Sequence, residues 1–467
     1  MIESEQTSKN IGEIRFSENY EYIIDSKGNR VEFDDPRIVF VEPAARNPYG
    51  KRLVIDLYKQ FNRTIRVSQE TDENIIQYAK QVCSGRECVP SLAIVGSILK
   101  DINEYRGNDE ITIYRDPLNQ HGPCQNGAWP VLWDILFKKR QNIKDAFFCI
   151  APSFSNKYLG LRQDIILLEN VNFITGHYLV EARNALQCVA ENKDSAIERF
   201  EVITDEFINN IKEKKKTLRT ALVKWARDVS KIPLKATVEN TPKVLIFGGL
   251  NLLFNHYPLE EYFLEKGIIV KVVDLTESLN LLLSEPALRY GFRKGILNPK
   301  RQFKEASLDL SGVEEEYQRD AQKAKRSLFK MEVLASQCQS NRKIMSKSGL
   351  LFDPHVDYVD LVEEGNKYAS SNSFTETPVI TGRFIHSVNS GVYDGLINLG
   401  VFNCQPAMNS QAIIRPLANK CDIPYAAIDC EGPWISTNQR RLLETIAVQA
   451  KRVRKEKNEK LVQNSIN

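Results

Sequence analysis

Three cysteines sit in turns marked by proline: Cys88 in SGRECVP, Cys124 in HGPCQ and Cys404 in FNCQP. A thiol in such a turn can be a small packing residue, half of a disulfide, a nucleophile or a metal ligand, and one cysteine alone does not choose among these. Three thiolates converging from separate loops would hold a soft metal centre. Proline and glycine fix loop shape, which pre-positions ligands, and the remaining free amides can hydrogen-bond to sulfur and tune a redox potential. There is no CxxC pair, so neither a zinc ribbon nor a ferredoxin pattern is supported. The five histidines, at 121, 177, 256, 355 and 386, form neither HxxxH nor HExxH. Cys149 lies in an apolar strand-like run, and Cys188 and Cys338 lie on helical stretches, which marks all three as packing residues. Cys421 follows a helix and has no assigned role.

The elements that must position these thiols alternate between strand and helix. RIVFVEP (37–43) reads as a buried strand, followed by helices over 49–61, 73–82 and 91–102. A strand over 111–117 leads into the loop His121–Gly127, then a helix over 128–140 and a strand over 146–152. Residues 242–250 open a second unit: strand 243–247, Gly248-Gly249, a helix over 255–267 and a strand over 268–275. Gly248-Gly249 lacks the third glycine of a dinucleotide fingerprint. After a poorly patterned stretch, with a helical section around 313–340 and a Ser/Asn/Gly-rich segment near 365–376, strands recur at 395–406 and 423–430. Helices are expected over 410–420 and 436–457, the latter capped by Ser436 or Thr437. The fold class is therefore α/β with mostly parallel sheets in two domains joined by a long helical segment. The expected boundaries are a polar N-terminal arm (1–36), a first α/β domain (37–176), a helical linker (177–240), a second α/β domain (241–457) and a frayed tail (458–467). The linker is charged and reads as a solvated helical hairpin, with KEKKK (212–216) as an exposed helix face rather than a nucleic-acid patch.

Composition narrows the class. The chain has 467 residues, is 42% hydrophobic and carries a net charge of only +3 from 63 basic and 60 acidic residues, so no general attraction to nucleic acid or anionic membrane is implied. The polar N-terminus and the lack of any run near the roughly 20 apolar residues needed to span a bilayer point to a cytoplasmic protein. In that setting the nine cysteines are expected to be reduced.

The order of five segments resembles the 2-hydroxyacyl-CoA dehydratase superfamily, and more closely the cysteine-bearing C-terminal region of acyl-CoA dehydratase activase-related proteins. The segments are GRECVPSLAIVGSILK (85–100), GPCQNGAWPVLWDIL (122–136), 242–267 beginning PKVLIFGG, DGLINLGVFNCQP (394–406) and IDCEGPWISTNQRRLLETIAVQAK (428–451). The resemblance spans roughly residues 37–455. It implies two flavodoxin-like α/β domains with an iron–sulfur centre between them, a 4Fe–4S cluster held by the residues matching the family's three cysteines: Cys88, Cys124 and Cys404. The sequence departs from the family at Gln125-Asn126-Gly127, at Gln405-Pro406-Ala407-Met408 and at Asp429-Cys430-Glu431-Gly432. Cys430 and Cys83 are thus either further ligands, giving a closed or larger centre, or small loop residues.

The resemblance implies low-potential electron transfer or reductive activation of an acyl-CoA. It also implies an ATP-hydrolysing activator, here on a separate chain because no GxxxxGK[ST] loop is present, and subunits that work in pairs. The alternative is a binding or regulatory module that keeps the fold without the chemistry, with a structural zinc at the same thiols. No acid–base residue is assigned. His121, Arg86 and Arg162 lie near the candidate loops and are equally explained as surface or supporting residues.

Overall fold

The structure is a computed structural model that describes residues 15–16, 21–42, 47–116, 124–129, 132, 135–136, 143–150, 160–161, 163–249, 257–307 and 315–466. The N-terminal arm contains a small antiparallel sheet, β1 (Arg15–Phe16), β2 (Tyr22–Ile24) and β3 (Arg30–Glu32). Two four-stranded parallel sheets follow. The first comprises β4 (Ile38–Glu42), β5 (Thr64–Val67), β6 (Ile111–Asp116) and β7 (Ala146–Ile150), in spatial order β5-β4-β6-β7. The second comprises β8 (Lys243–Phe247), β9 (Ile269–Val272), β10 (Gly395–Val401) and β11 (Tyr425–Cys430), in spatial order β9-β8-β10-β11. The two orders are the same when each unit's strands are counted from its own first. Every residue of β4, β8 and β10 is buried, as expected of central parallel strands covered by helices on both faces. The short β5, TIRV, was not anticipated from the sequence because its alternation runs over only four residues.

The helices Lys193–Lys212 and Leu218–Val229 differ from the expected solvated hairpin. Their charged residues face outward, but Phe200, Ile203, Phe207, Leu222 and Trp225 are buried. Phe200 meets Trp225 edge to face at 5.8 Å, and the Trp225 indole N–H donates to Thr204 Oγ1 at 3.1 Å. One apolar cluster runs from Val39 in the first sheet through these helices to Val244 and Ile397 in the second. A high density of charged residues hid an apolar stripe of ordinary helical period.

The helix Gln163–Val189 is the shared beam. On one side Asn47 caps the helix Pro48–Gln60 by accepting from the Gly50 amide at 2.8 Å, and its Nδ2 donates to Phe173 O at 2.7 Å. That approach needs Gly176, where a Cβ would lie 2.4 Å from Asn47 Oδ1. On the other side Asn184 Nδ2 donates to Val270 O in β9 at 3.2 Å. Glu181 makes the strongest tie. Its Oε2 accepts from Lys271 Nζ (2.8 Å) and Arg342 Nη1 (2.9 Å), and its Oε1 from Arg342 Nη2 (2.9 Å) and the Phe352 and Asp353 amides (2.8 and 3.0 Å).

Among the described residues, five α-helices lie between β9 and β10: Leu275–Arg293, Pro299–Ser307, Glu315–Met345, Tyr358–Asn366 and Thr377–Ser390. The closing helix, Thr437–Ile466, is capped by a reciprocal box: the Gln439 amide donates to Ser436 Oγ, and the Ser436 amide donates to Gln439 Oε1 at 2.7 Å. It continues past the expected fray point. Arg454 and Lys457 both donate to the buried Asp394 at 2.9 Å, and Asn458 donates to Asn240 O. No helix among the described residues is long and apolar enough to cross a membrane.

Burial alone would raise the Glu181 carboxyl, but Arg342 and Lys271 hold it well below the usual range. Glu181→Gln leaves two buried cations without their counter-charge, and is expected to lower the urea-unfolding free energy by about 3–5 kcal/mol. A depressed carboxyl adds stability above its ordinary value, 4.5, and loses it as pH falls below that. The variant should therefore show a shallower acid limb than the wild type. A loss under about 1 kcal/mol would contradict this role.

Candidate thiol site

Cys88 and Cys404 occupy equivalent local positions. Cys88 is the N-cap of the helix Val89–Glu104, and Cys404 the N-cap of the helix Gln405–Ala418; both are extended (φ −65°, ψ 153° and φ −88°, ψ 111°). Each reads Cys-X-Pro, which puts proline at the second helical position, where its missing N–H costs no hydrogen bond. A thiol replaces the usual Ser, Thr, Asp or Asn at the cap. The amides of Ser91 and Ala407, one turn into each helix, face the two sulfurs and favour their anionic form. Cys124 is half-buried and immediately precedes the short 3-10 turn Gln125–Ala128.

These three thiols, far apart in sequence, are electrostatic neighbours. Cys124 acts on Cys88, and both Cys124 and Cys88 act on Cys404. Cys88 and Cys404 are only 3% and 5% exposed. Burial pushes the Cys88 thiol up to about 12, opposed by the Ser91 amide and reinforced by Cys124. Cys404 is raised first by burial and then by the carboxylate of Glu376. Both are therefore protonated thiols at neutral pH. A bound cation would displace those protons, so metal uptake here is coupled to proton release. Among the described residues, no three Cys, His, Asp or Glu side chains are gathered as a metal-holding group; the three thiols face one another within electrostatic reach rather than as a closed ligand set.

Supporting residues surround them. Gln125 Oε1 accepts from the Cys88 amide at 2.9 Å, strapping one cysteine loop to the other. The indole N–H of Trp129, which is buried, is directed at the Cys88 sulfur. Glu376 faces Cys404 and also lies against the turn after β8: a Cβ on Gly249 would fall 2.1 Å from its Oε2. Gly248, at φ +146°, passes just as close to Leu399 O of β10. The paired glycines thus serve close packing between strand ends.

The remaining sequence candidates fall elsewhere. Cys83 is half-buried and raised to about 12 by burial and then by Glu87, whose carboxylate accepts from the Ser84 and Gly85 amides. Cys430 is raised to about 11, chiefly by burial, and its Sγ donates to Gly432 O at 2.9 Å. Neither has a thiol among the groups acting on it. Arg86 is exposed on the loop leading to Cys88. His121, Gly122, Pro123 and Arg162 lie outside the described residues, as does most of the helix expected over 128–140. Cys188 and Cys338 are buried in helices as expected, and none of the described cysteines is in a disulfide. Sequence reading missed Trp129 and Glu376 and gave Gln125 no positive role. A clue for Gln125 was its adjacency to Cys124; Glu376 has no sequence signal, because its link to Cys404 is purely tertiary.

No protein-family model matches the sequence, and no curated protein matches it.

Gln125→Ala removes one hydrogen bond of about 1 kcal/mol, so local opening at Cys88 should rise about fivefold. Iodoacetamide labelling of the reduced, metal-free protein should show that increase at Cys88 while Cys188 labels at an unchanged rate. Equal labelling of Cys88 in variant and wild type would show that Gln125 does not hold this loop.

Proposed function

We propose that this chain is an iron–sulfur protein akin to the 2-hydroxyacyl-CoA dehydratase superfamily, with Cys88, Cys124 and Cys404 as the ligands of a 4Fe–4S cluster. The observation that supports the reading is that these three thiols, 36 or more residues apart in sequence, lie within electrostatic reach of one another, two of them at helix N-termini. The donor set suits the group: soft thiols, low exposure, and N–H groups of Ser91, Ala407 and Trp129 turned towards sulfur. The shared strand order of the two sheets, second-first-third-fourth in each unit, supports two flavodoxin-like domains.

In this reading the cluster, when bound, supplies one-electron chemistry at low potential. The chain's own residues do the rest. The three cysteines give up their protons to become ligands, the helix-terminal amides and the Trp129 indole stabilise charge on sulfur, and Gln125 holds the Cys88 loop in place. The chain then acts in electron transfer or in reductive activation of an acyl-CoA in the cytoplasm, with electrons delivered by a separate ATP-dependent activator. Cys83 and Cys430 remain candidates for additional ligands only if the loops that carry them shift towards the three thiols.

Anaerobically purified protein should be brown, contain about four irons and matching labile sulfide per chain, and give an EPR signal on reduction. Cys124→Ser should lose most of that iron, whereas Cys338→Ser, at a buried cysteine outside the site, should keep it. Protein that stays free of iron and sulfide after anaerobic reconstitution overturns the proposal, and stoichiometric zinc in place of iron favours a structural metal site instead.

A further inference from the structure

A cavity of about 300 Å³ opens among the helices inserted between β9 and β10, at the low end of the roughly 300–1,000 Å³ typical of small-molecule sites. It lies beyond the carboxyl end of β9, which is where open α/β sheets bind ligands. One wall is apolar, made by Phe303, Leu328, Met331, Val356 and Leu361. The rest of the lining is polar, with Asp274, Glu277, Glu332, Asp353 and Asp357 beside Arg342 and Arg383. The mouth is crossed by a 2.7 Å contact between Gln339 and His355, both exposed.

Arg383 is the unusual member. Its side chain is 1% exposed, so it is almost wholly withdrawn from water. Nη2 donates to Asp353 Oδ1 at 2.9 Å, and Asp353 also accepts from the Tyr393 hydroxyl. Nε stands 3.3 Å from Glu277 Oε1 without hydrogen-bond alignment, and Nη1 has no acceptor. A buried guanidinium with an unmet donor is costly, and here it lines a cavity. Lys271, Arg342 and Arg383 face Glu181, Asp274, Asp353 and Glu277, so the cluster carries no positive excess, and the opening for a ligand is the unmet donor on Arg383 Nη1. Glu277 is pushed up to about 7, by burial first, with Asp274 and Asp353 raising it and Arg383 and Lys271 opposing. It can therefore carry a proton and donate rather than repel.

We propose that this cavity binds a small organic monocarboxylate with an apolar tail, its carboxylate on Arg383 Nη1 and its tail against Phe303, Met331 and Leu361. Glu277, 3.3 Å from Arg383 Nε, borders the head group, and the apolar wall selects a short unbranched or aromatic chain. The site is separate from the three thiols and does not rest on their holding a cluster. The two are nevertheless neighbours: Asp274 and Glu277 also line a small recess shared with Gly249 and Glu376, the residue that faces Cys404.

The test is isothermal titration of the full chain with hexanoate, hexanamide and hexylamine, which share a tail and differ in the head. Hexanoate should bind about tenfold or more tighter than the other two, the worth of a charge-assisted pair over a neutral one. Ala335→Phe, which fills the cavity from the helix Glu315–Met345 and leaves every charge in place, should abolish hexanoate binding. Arg383→Lys, which keeps the charge but loses the fork, should weaken it. Equal affinity for all three heads, tighter binding of hexylamine, or hexanoate binding that survives Ala335→Phe would each overturn the proposal. Should a variant fail to fold, the comparison of heads on the wild-type protein still decides it.

Discussion

One carboxylate organises this protein. Glu181 is fully withdrawn from solvent and accepts five hydrogen bonds from four residues on three separate segments. A charge in that position is tolerable only when its counter-charges are held in place. Lys271 is fixed by β9, Arg342 by the long helix Glu315–Met345, and the Phe352 and Asp353 amides by the segment that follows it. The helix that carries Glu181 also packs on the first sheet through Asn47 and Gly176. Glu181 therefore ties the helix Gln163–Val189 to the second sheet and the inserted helices, alongside the Asn184–Val270 bond and the apolar cluster that reaches both sheets. Asp353, positioned in turn by Glu181, holds Arg383 and Tyr393, so the cavity wall is an extension of the same network.

The thiol site depends on that placement. Cys88 and Cys124 belong to the first unit and Cys404 to the second, so their approach is a property of how the units meet. Local structure then sets direction. Each N-cap cysteine sits beside the open amides of its own helix without a side-chain cap hydrogen bond, and a proline two residues on secures the helix start. The same device, Cys-X-Pro, is used at Cys88 and Cys404. Burial keeps the sulfurs protonated until something positive replaces the proton, which suits a site that is shaped in advance and charged only on loading.

Much of this was legible in the sequence because it is local. Strands 38–42, 243–247 and 425–430 announce themselves as apolar runs between turn residues, and the Cys-X-Pro turns stand out as helix starts. Ser436 was readable as a cap, with Gln439 completing the box. What was not legible is what depends on three dimensions. Charged residues outnumber the apolar stripe of 193–229, so a buried pair of helices reads as a solvated hairpin. The tail after 457 looks frayed, but the closing helix runs on to Ile466 and Asn458 donates to Asn240 O. Among the inserted helices, Leu275–Arg293 and Glu315–Met345 carry only a weak helical period, whereas the short Pro299–Ser307 is strongly amphipathic. Gly248-Gly249 lacks the third glycine of a dinucleotide fingerprint, and what it does instead, pack against Leu399 and Glu376, is visible only in three dimensions.

The central claim is that Cys88, Cys124 and Cys404 meet at one place. The most direct measurement is thiol–thiol cross-linking of the reduced, metal-free protein with dibromobimane, with the linked peptides identified by mass spectrometry. Links are expected between the Cys404 peptide and the Cys88 or Cys124 peptide, across the two halves of the chain. Links confined to Cys83 and Cys88, or a Cys404 peptide that is joined only to Cys430 or to nothing, would contradict it.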